Sequence, residues 1–429
     1  MGAFLGGALA GILVGAILPR ILKVLHGRRV VDAGSPTDVP LPSGIAFIIL
    51  SAVLTILIVT VFRAYSIDVQ VYRNITLLDE DGRVVMSDVA YDGKMFVAGG
   101  TYRPKGAGDD YLDAALWTSE DGWTWDRLAH DHELFGGVAI PGGRVAHRRI
   151  NSVYATPEGF LIFGFDTAPD GETRAAVWEL SSGSVQARRA EGSFPDARSF
   201  QGYSRHGSVE IAVGSDQQNA TVWRRQGDGG WSAQSFGPSG IVQLKSVTYQ
   251  NGSWFVTGFD RSTDPNFSGE LSEDQNYYRR DGAIWASADG ASWTRVDGMA
   301  GIEGSQTVND IEYSHGMWIA VGEDDAADEK AMDAAIWISD DGRRWRRSSS
   351  FLLAGVLEWQ TMGGLVDAGD RLIAVGTELP ENYEKSEPEG GVSMSREQVW
   401  VNAVWRIDLE PRLGSRTLQN VFRELISRR

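Results

Sequence analysis

The phrase "DGAIWASADGASWTRV" at residues 281–296 occurs twice more with little change, as "DAALWTSEDGWTWDRL" at 113–128 and "DAAIWISDDGRRWRRS" at 333–348. Near-copies this far apart in one chain specify a repeated supersecondary unit, which constrains the fold more than any single motif does. A second phrase precedes each Trp phrase: "VMSDVAYDGKMFVAGG" (85–100), "INSVYATPEGFLIFGF" (150–165), "FQGYSRHGSVEIAVG" (200–214), "LKSVTYQNGSWFVTGF" (244–259), "VNDIEYSHGMWIAVG" (308–322) and "TMGGLVDAGDRLIAVG" (361–376). Each is an alternating apolar run, a Gly-bearing turn and a β-rich run ending near Gly, which predicts two antiparallel strands. The Trp phrases follow in the same order, centred on Trp117, Trp178, Trp223, Trp285, Trp337 and Trp405. They add a third strand and, in the clear copies, a tight turn and a fourth.

Six units of four strands predict an all-β chain, a six-bladed β-propeller over residues 66–410. The seven-bladed alternative requires one more copy of the phrase, and none is found. The last unit lacks a fourth strand after Trp405, whereas "SIDVQVYRNITLL" (66–78) is β-rich and has no partner of its own. That segment is expected to close the ring as the outer strand of the last blade, removing the exposed edges of an open arc.

Three units carry the pattern S-x-D-G-x-x-W: "SEDGWTW" (119–125), "SADGASW" (287–293) and "SDDGRRW" (339–345). The pattern resembles the Asp-box, or BNR, repeat of sialidase-type propellers, whose usual form has one more residue between Asp and Gly. The second and third units are degenerate, reading "ELSSGSVQ" (179–186) and "RQGDGGW" (225–231). As turn chemistry, Asp121, Asp289 and Asp341 accept hydrogen bonds from turn N–H groups. Gly122, Gly290 and Gly342 supply positive φ, and Trp125, Trp293 and Trp345 pack between blades. The resemblance likewise implies a structural motif away from any active site.

A sialidase-like enzyme also needs an arginine cluster, a Tyr–Glu nucleophile pair and an Asp acid, and the family's first arginine lies in an F/Y-R-I-P phrase. Here "VYRNIT" (71–76) keeps Tyr72 and Arg73, but Asn74 replaces Ile and no Pro follows. No full set carries over, so the expectation is a chain that is not an enzyme and has no catalytic residues, cofactor or metal. "HDHE" (130–133), with His147 further on, could bind Zn²⁺ with a third ligand, and the acidic run "GEDDAADE" (322–329) could hold Ca²⁺ weakly, but both are read as solvated loops. The chain has no Cys, which removes disulfides, Cys-ligated metal and thiol chemistry. A formal net charge of −17 argues against nucleic acid.

Residues 1–65 differ from the rest. "GAFLGGALAGILVGAIL" (2–18) and "GIAFIILSAVLTILIVTVF" (44–62) are uncharged apolar runs of about bilayer-spanning length. They predict a transmembrane hairpin, with helices at about 2–19 and 44–62. The loop 20–43 holds Arg20, Lys23, Arg28 and Arg29 and is assigned to the cytoplasm. Both termini and the propeller are then extracytoplasmic, at a cell membrane. Gly7, Gly11 and Gly15 recur every fourth residue as a helix-packing face. In 411–429, Leu418, Val421, Phe422, Leu425 and Ile426 share one face of a short amphipathic helix.

Together these features predict a membrane-anchored, non-catalytic propeller, acting as a scaffold, assembly factor or accessory subunit beside membrane-protein partners. The alternative is a surface glycan-binding or glycoside-hydrolase-like protein that uses the face carrying the long connections between second and third strands.

Overall fold

The computed structural model describes residues 67–77, 82–104, 112–137, 139–140, 144–145, 147–168, 170–190, 194–263, 280–296, 304–325, 332–348, 359–379 and 401–411. The predicted hairpin with Gly7, Gly11 and Gly15, and the helix with Leu418, Val421, Phe422, Leu425 and Ile426, fall outside these residues. So do most of the long connections. Among the described residues no helix is long and apolar enough to cross a membrane. Val69–Asp408 forms one compact unit.

That unit is a six-bladed β-propeller built from six four-stranded antiparallel sheets. Blade 1 runs Gly82–Tyr91, Phe96–Pro104, Asp113–Ser119 and Asp126–Arg127, from the axis outward. Blades 2 to 5 repeat this order, with inner strands Arg148–Thr156, Ser199–His206, Val242–Gln250 and Gln306–Ser314. Blade 6 has the inner strand Trp359–Asp367, then Leu372–Leu379 and Val401–Pro411, and its outermost strand is Ile67–Leu77 from the start of the chain. The ring thus closes with the strand expected to close it. At the seam the buried Asn402 of blade 6 accepts a hydrogen bond through Oδ1 from Met86 N of blade 1, at 2.9 Å. The degenerate second and third units do make fourth strands, Ala187–Arg189 and Ser232–Pro238.

The six third-strand tryptophans are all buried. Each fills the space between sheets whose faces meet around the axis. The S-x-D-G turns join third and fourth strands at the same end as the tight turns between first and second strands, because Phe96 pairs with Ser119. In each turn one Asp oxygen takes two backbone N–H groups. Asp121 Oδ1 accepts from Trp123 and Thr124 at 2.7 Å, and Asp289 Oδ1 from Ala291 and Ser292 at 2.8 Å. Asp341 Oδ1 accepts from Arg343 and Arg344 at 2.9 Å. The Ser hydroxyl of each box accepts the Gly N–H at 2.9 Å, and the glycines sit at φ +71, +70 and +69. These N–H groups hold the Asp289 carboxyl down at about 2. Trp125 packs with Ile373 and Val404 of blade 6, Trp293 with the blade 3–4 cluster of Ile211 and Trp254, and Trp345 with Phe255 of blade 4. Each box thus fastens its blade to the preceding one.

A feature of all six inner strands positions the channel. Register shifts occur between Met86 and Asp88, Ile150 and Ser152, Phe200 and Gly202, Leu244 and Val247, Val308 and Asp310, and Met362 and Gly364. A β-bulge kinks its strand and re-aims the side chains after it. Opposite each bulge stands a glycine of the second strand: Gly100, Gly164, Gly214, Gly258, Gly322 and Gly376. A Cβ there would lie 1.9–2.1 Å from a backbone carbonyl oxygen of the inner strand. The Gly ending each sequence phrase is therefore the partner of a bulge.

Candidate functional site

Beyond the bulges, toward the short-turn end, the six inner strands enclose a cavity of about 250 Å³. Its walls carry Asp88, Asp310 and Glu312 together with Tyr154, Tyr203 and Tyr249. Asp88 and Asp310 occupy the same place in the repeat, directly after the bulge, in blades 1 and 5. Both are half-buried, and both tie their blade to the next. Asp88 Oδ1 accepts from Val89 N at 2.7 Å and Oδ2 from Val153 N of blade 2 at 2.9 Å. Asp310 Oδ1 accepts from Ile311 N at 2.9 Å and Oδ2 from Leu365 N of blade 6 at 2.8 Å.

Despite those four donors, burial keeps both carboxyls above their ordinary range. Asp88 is pushed up to about 8, by burial first and the Asp310 charge second, and Asp310 to about 6 by burial. Glu312, two residues along the same strand, rises to about 8 through burial and then the Asp310 charge. Its Oε2 accepts a hydrogen bond from Gln250 of blade 4. Blades 1 and 5 are not neighbours, so these acids feel one another across the channel. The pair titrates as a unit, one carboxyl protonated while the other is ionised.

The next level toward the long-connection end has the opposite sign. Arg149 of blade 2 and Lys245 of blade 4 lie at or just before the bulge, and their charges interact across the channel. Burial lowers the Lys245 ammonium to about 8, against the pull of Glu323, and burial also lowers Arg149. Arg280 Nη1 donates to Glu323 Oε1 at 2.9 Å nearby. The Arg149 Nε is buried and has no hydrogen-bond partner among the described residues.

The residues singled out from sequence lie elsewhere. Arg73, the candidate family arginine, is on the outermost strand of blade 6, 3.3 Å from Glu378. Tyr72 beside it is exposed beneath the Arg406 guanidinium. A Tyr–Glu pair does exist: Tyr203 Oη donates to Glu210 Oε2 at 2.8 Å, and Arg225 also binds that oxygen. Burial and Glu210 push the Tyr203 phenol well above its ordinary range. In the acidic run, Glu323 and Asp324 are buried and paired with Arg280 and Arg347, not solvated. The cavity lies at the short-turn end, whereas the sequence pointed to the long-connection face. The signal for Asp88 and Asp310 was present in the repeat: with the phrases aligned on their turns, "MSDV" and "VNDI" put Asp where the other units have Ser or Gly.

No family model matches the chain, and no curated protein matches it. Solved structures match it in fold. Trypanosoma rangeli sialidase with the inhibitor DANA is 12% identical at a TM-score of 0.47, over 83% of this chain and 62% of that one. An N-acetylgalactosamine deacetylase from F. plautii is 12% identical at 0.43, over 79% and 92%. RS223 β-xylosidase is 8% identical at 0.40, over 79% and 96%. This chain therefore spans less than two thirds of the sialidase's length. The likeness is one of fold, in agreement with a sialidase-like propeller. The expectation of a chain that is not an enzyme is corrected here. Structures that share its fold include sialidases, a glycoside hydrolase, a β-xylosidase and a deacetylase. The channel also holds an acid set that the family arginine phrase did not lead to.

Proposed function

We propose that the channel pocket is a glycan-processing site of the glycoside-hydrolase kind. The observation that carries this reading is the meeting of Asp88, Asp310 and Glu312 in one tyrosine-lined cavity, with their carboxyls pushed to different heights. Glycosidic cleavage needs a carboxylic acid that keeps its proton near neutral pH and a second carboxylate that does not. Between about pH 6 and 8 the Asp88–Asp310 pair shares one proton and one negative charge, and burial holds Glu312 toward its acid form. The acid protonates the departing glycosidic oxygen. The ionised carboxylate of the pair activates water or stabilises the positive charge that develops on the sugar ring. Tyr154 and Tyr249 supply aromatic surface for sugar faces, Tyr249 already stacking on His206 with ring centroids 3.7 Å apart. Arg149 and Lys245, at the next level of the channel, favour a glycan bearing an acidic group.

The hairpin at 2–19 and 44–62 belongs to the same proposal: it would hold the pocket outside the cytoplasm, at a membrane surface. Protease treatment of intact cells expressing a C-terminally tagged chain tests this, with loss of the tag expected. The activity itself is tested by turnover of a panel of neutral and acidic aryl glycosides across pH. A bell-shaped profile is expected, with limbs near the two acid levels, about 6 and about 8. Saturable glycan binding without cleavage at any pH would leave a lectin-like module in its place.

A further inference from the structure

We infer that Asp113, His130 and His132 form a binding site for Zn²⁺ or a similar first-row divalent ion, at the opposite end of blade 1 from its S-x-D-G turn. This inference does not rest on the glycan reading. One ligand atom from each of the three residues lies within 4.8 Å of the others, the one such group among the described residues. Asp113 opens the third strand of blade 1, and its carboxylate is only 2% exposed. Its Oδ1 accepts Gly137 N–H at 2.6 Å, and its Oδ2 lies 3.2 Å from His130 Nε2.

The two imidazoles are set by the chain between blades 1 and 2. Asp131 caps the short helix His132–Phe135, its Oδ1 accepting from Glu133 N at 3.0 Å and Leu134 N at 3.1 Å. Phe135 is buried against Trp178 of blade 2, and Arg148 Nη1 donates to Glu133 O at 2.6 Å. These contacts anchor the segment on both sides of His132. An Asp113–His130 ion pair accounts for two of the three residues, but not for the arrival of His132 at the same point.

Two imidazoles and one carboxylate suit zinc and its neighbours better than Ca²⁺ or Mg²⁺, which prefer oxygen ligands throughout. Zinc–ligand bonds of about 2.0–2.2 Å set ligand atoms roughly 3.3–3.6 Å apart in a tetrahedron, so a modest inward turn of the two exposed imidazoles completes three positions. The fourth faces solvent, because both histidines are exposed. "HDHE" supplied two ligands in the sequence. The third lies 17 residues before His130 and meets it only because the third strand of blade 1 begins beside the crossing to blade 2. His147, the other histidine named from sequence, is not one of the three converging residues.

The test is metal titration of the chelator-stripped full-length chain, using Co²⁺ absorption, Zn²⁺ competition and thermal unfolding. One equivalent is expected, with the d–d bands of a tetrahedral or five-coordinate ion and a rise in unfolding temperature with Zn²⁺. His132→Ala, at an exposed position, should weaken binding about a hundredfold or more while the metal-free chain melts as before. His315→Ala, in an exposed turn, should leave affinity unchanged. Absence of a saturable equivalent in the wild type overturns the inference, as does equal affinity in the wild type and His132→Ala.

Discussion

Asp310→Asn is expected to lower turnover of the best glycoside found for this protein by about a hundredfold to ten-thousandfold, with a modest drop in the thermal midpoint. Asparagine keeps one acceptor oxygen, which preserves the tie from Leu365 N between blades 5 and 6, while its NH2 then faces Ile311 N and the ionisable partner is lost. Asp88→Asn should cost activity similarly and also move the alkaline limb of the pH profile. The two variants should not be additive, because removing either partner already dissolves the coupled pair. Unchanged activity in both variants would sink the assignment. Loss of activity with collapse of folding would instead show that the aspartates act through the blade seams, and circular dichroism and melting distinguish the two.

The same acids link stability to pH. Their folded values, about 8 for Asp88 and Glu312 and about 6 for Asp310, lie above their ordinary values near 4. The folded chain thus binds more protons than the unfolded one across that interval, and stability should fall as pH rises from about 4 through about 8. The carboxyl of Asp289 is displaced the other way, and its contribution is lost only as pH falls through about 2. Asp88→Asn should flatten the decline between pH 6 and 8. Denaturant midpoints measured across this range read it directly, and an unaltered slope would show that Asp88 ionises normally.

Gly322→Ala is expected to destabilise the propeller by about 3 kcal/mol or more, lowering the thermal midpoint by about 4 °C or more. The added Cβ would stand 1.9 Å from Thr307 O and 3.0 Å from Thr307 C, and backbone cannot rotate aside as a side chain can. Its control is Gly93→Ala in a turn with φ +91 and nothing within 4 Å of the new Cβ. There only the positive φ opposes alanine, at about 1 kcal/mol. If the two substitutions melt alike, the bulge is not what requires the glycine.

The propeller was legible because its signals are local and repeated six times. Alternation marks strands, S-x-D-G marks a turn whose Asp and Gly shape their own backbone, and Trp117 or Trp337 marks the buried middle of a sheet. Even closure by Ile67–Leu77 could be deduced, since one unit lacked a strand and one strand lacked a unit. The glycines opposite the bulges were visible as letters but not as a requirement, because the carbonyl they avoid belongs to a different strand.

The candidate sites were decided by the tertiary structure. Asp88 and Asp310 are 222 positions apart in the sequence, and neither sits in a recognisable motif. What sets them apart is the ring, which brings strands of blades 1 and 5 to one channel and withdraws both acids from the water that would otherwise hold them at ordinary strength. Asp113 likewise reads as the first residue of a strand until the crossing to blade 2 lays two histidines beside it. A single sequence reports which side chains a turn or strand needs for itself. Proximity across a closed ring, and the desolvation it imposes, exist only once all six blades have folded.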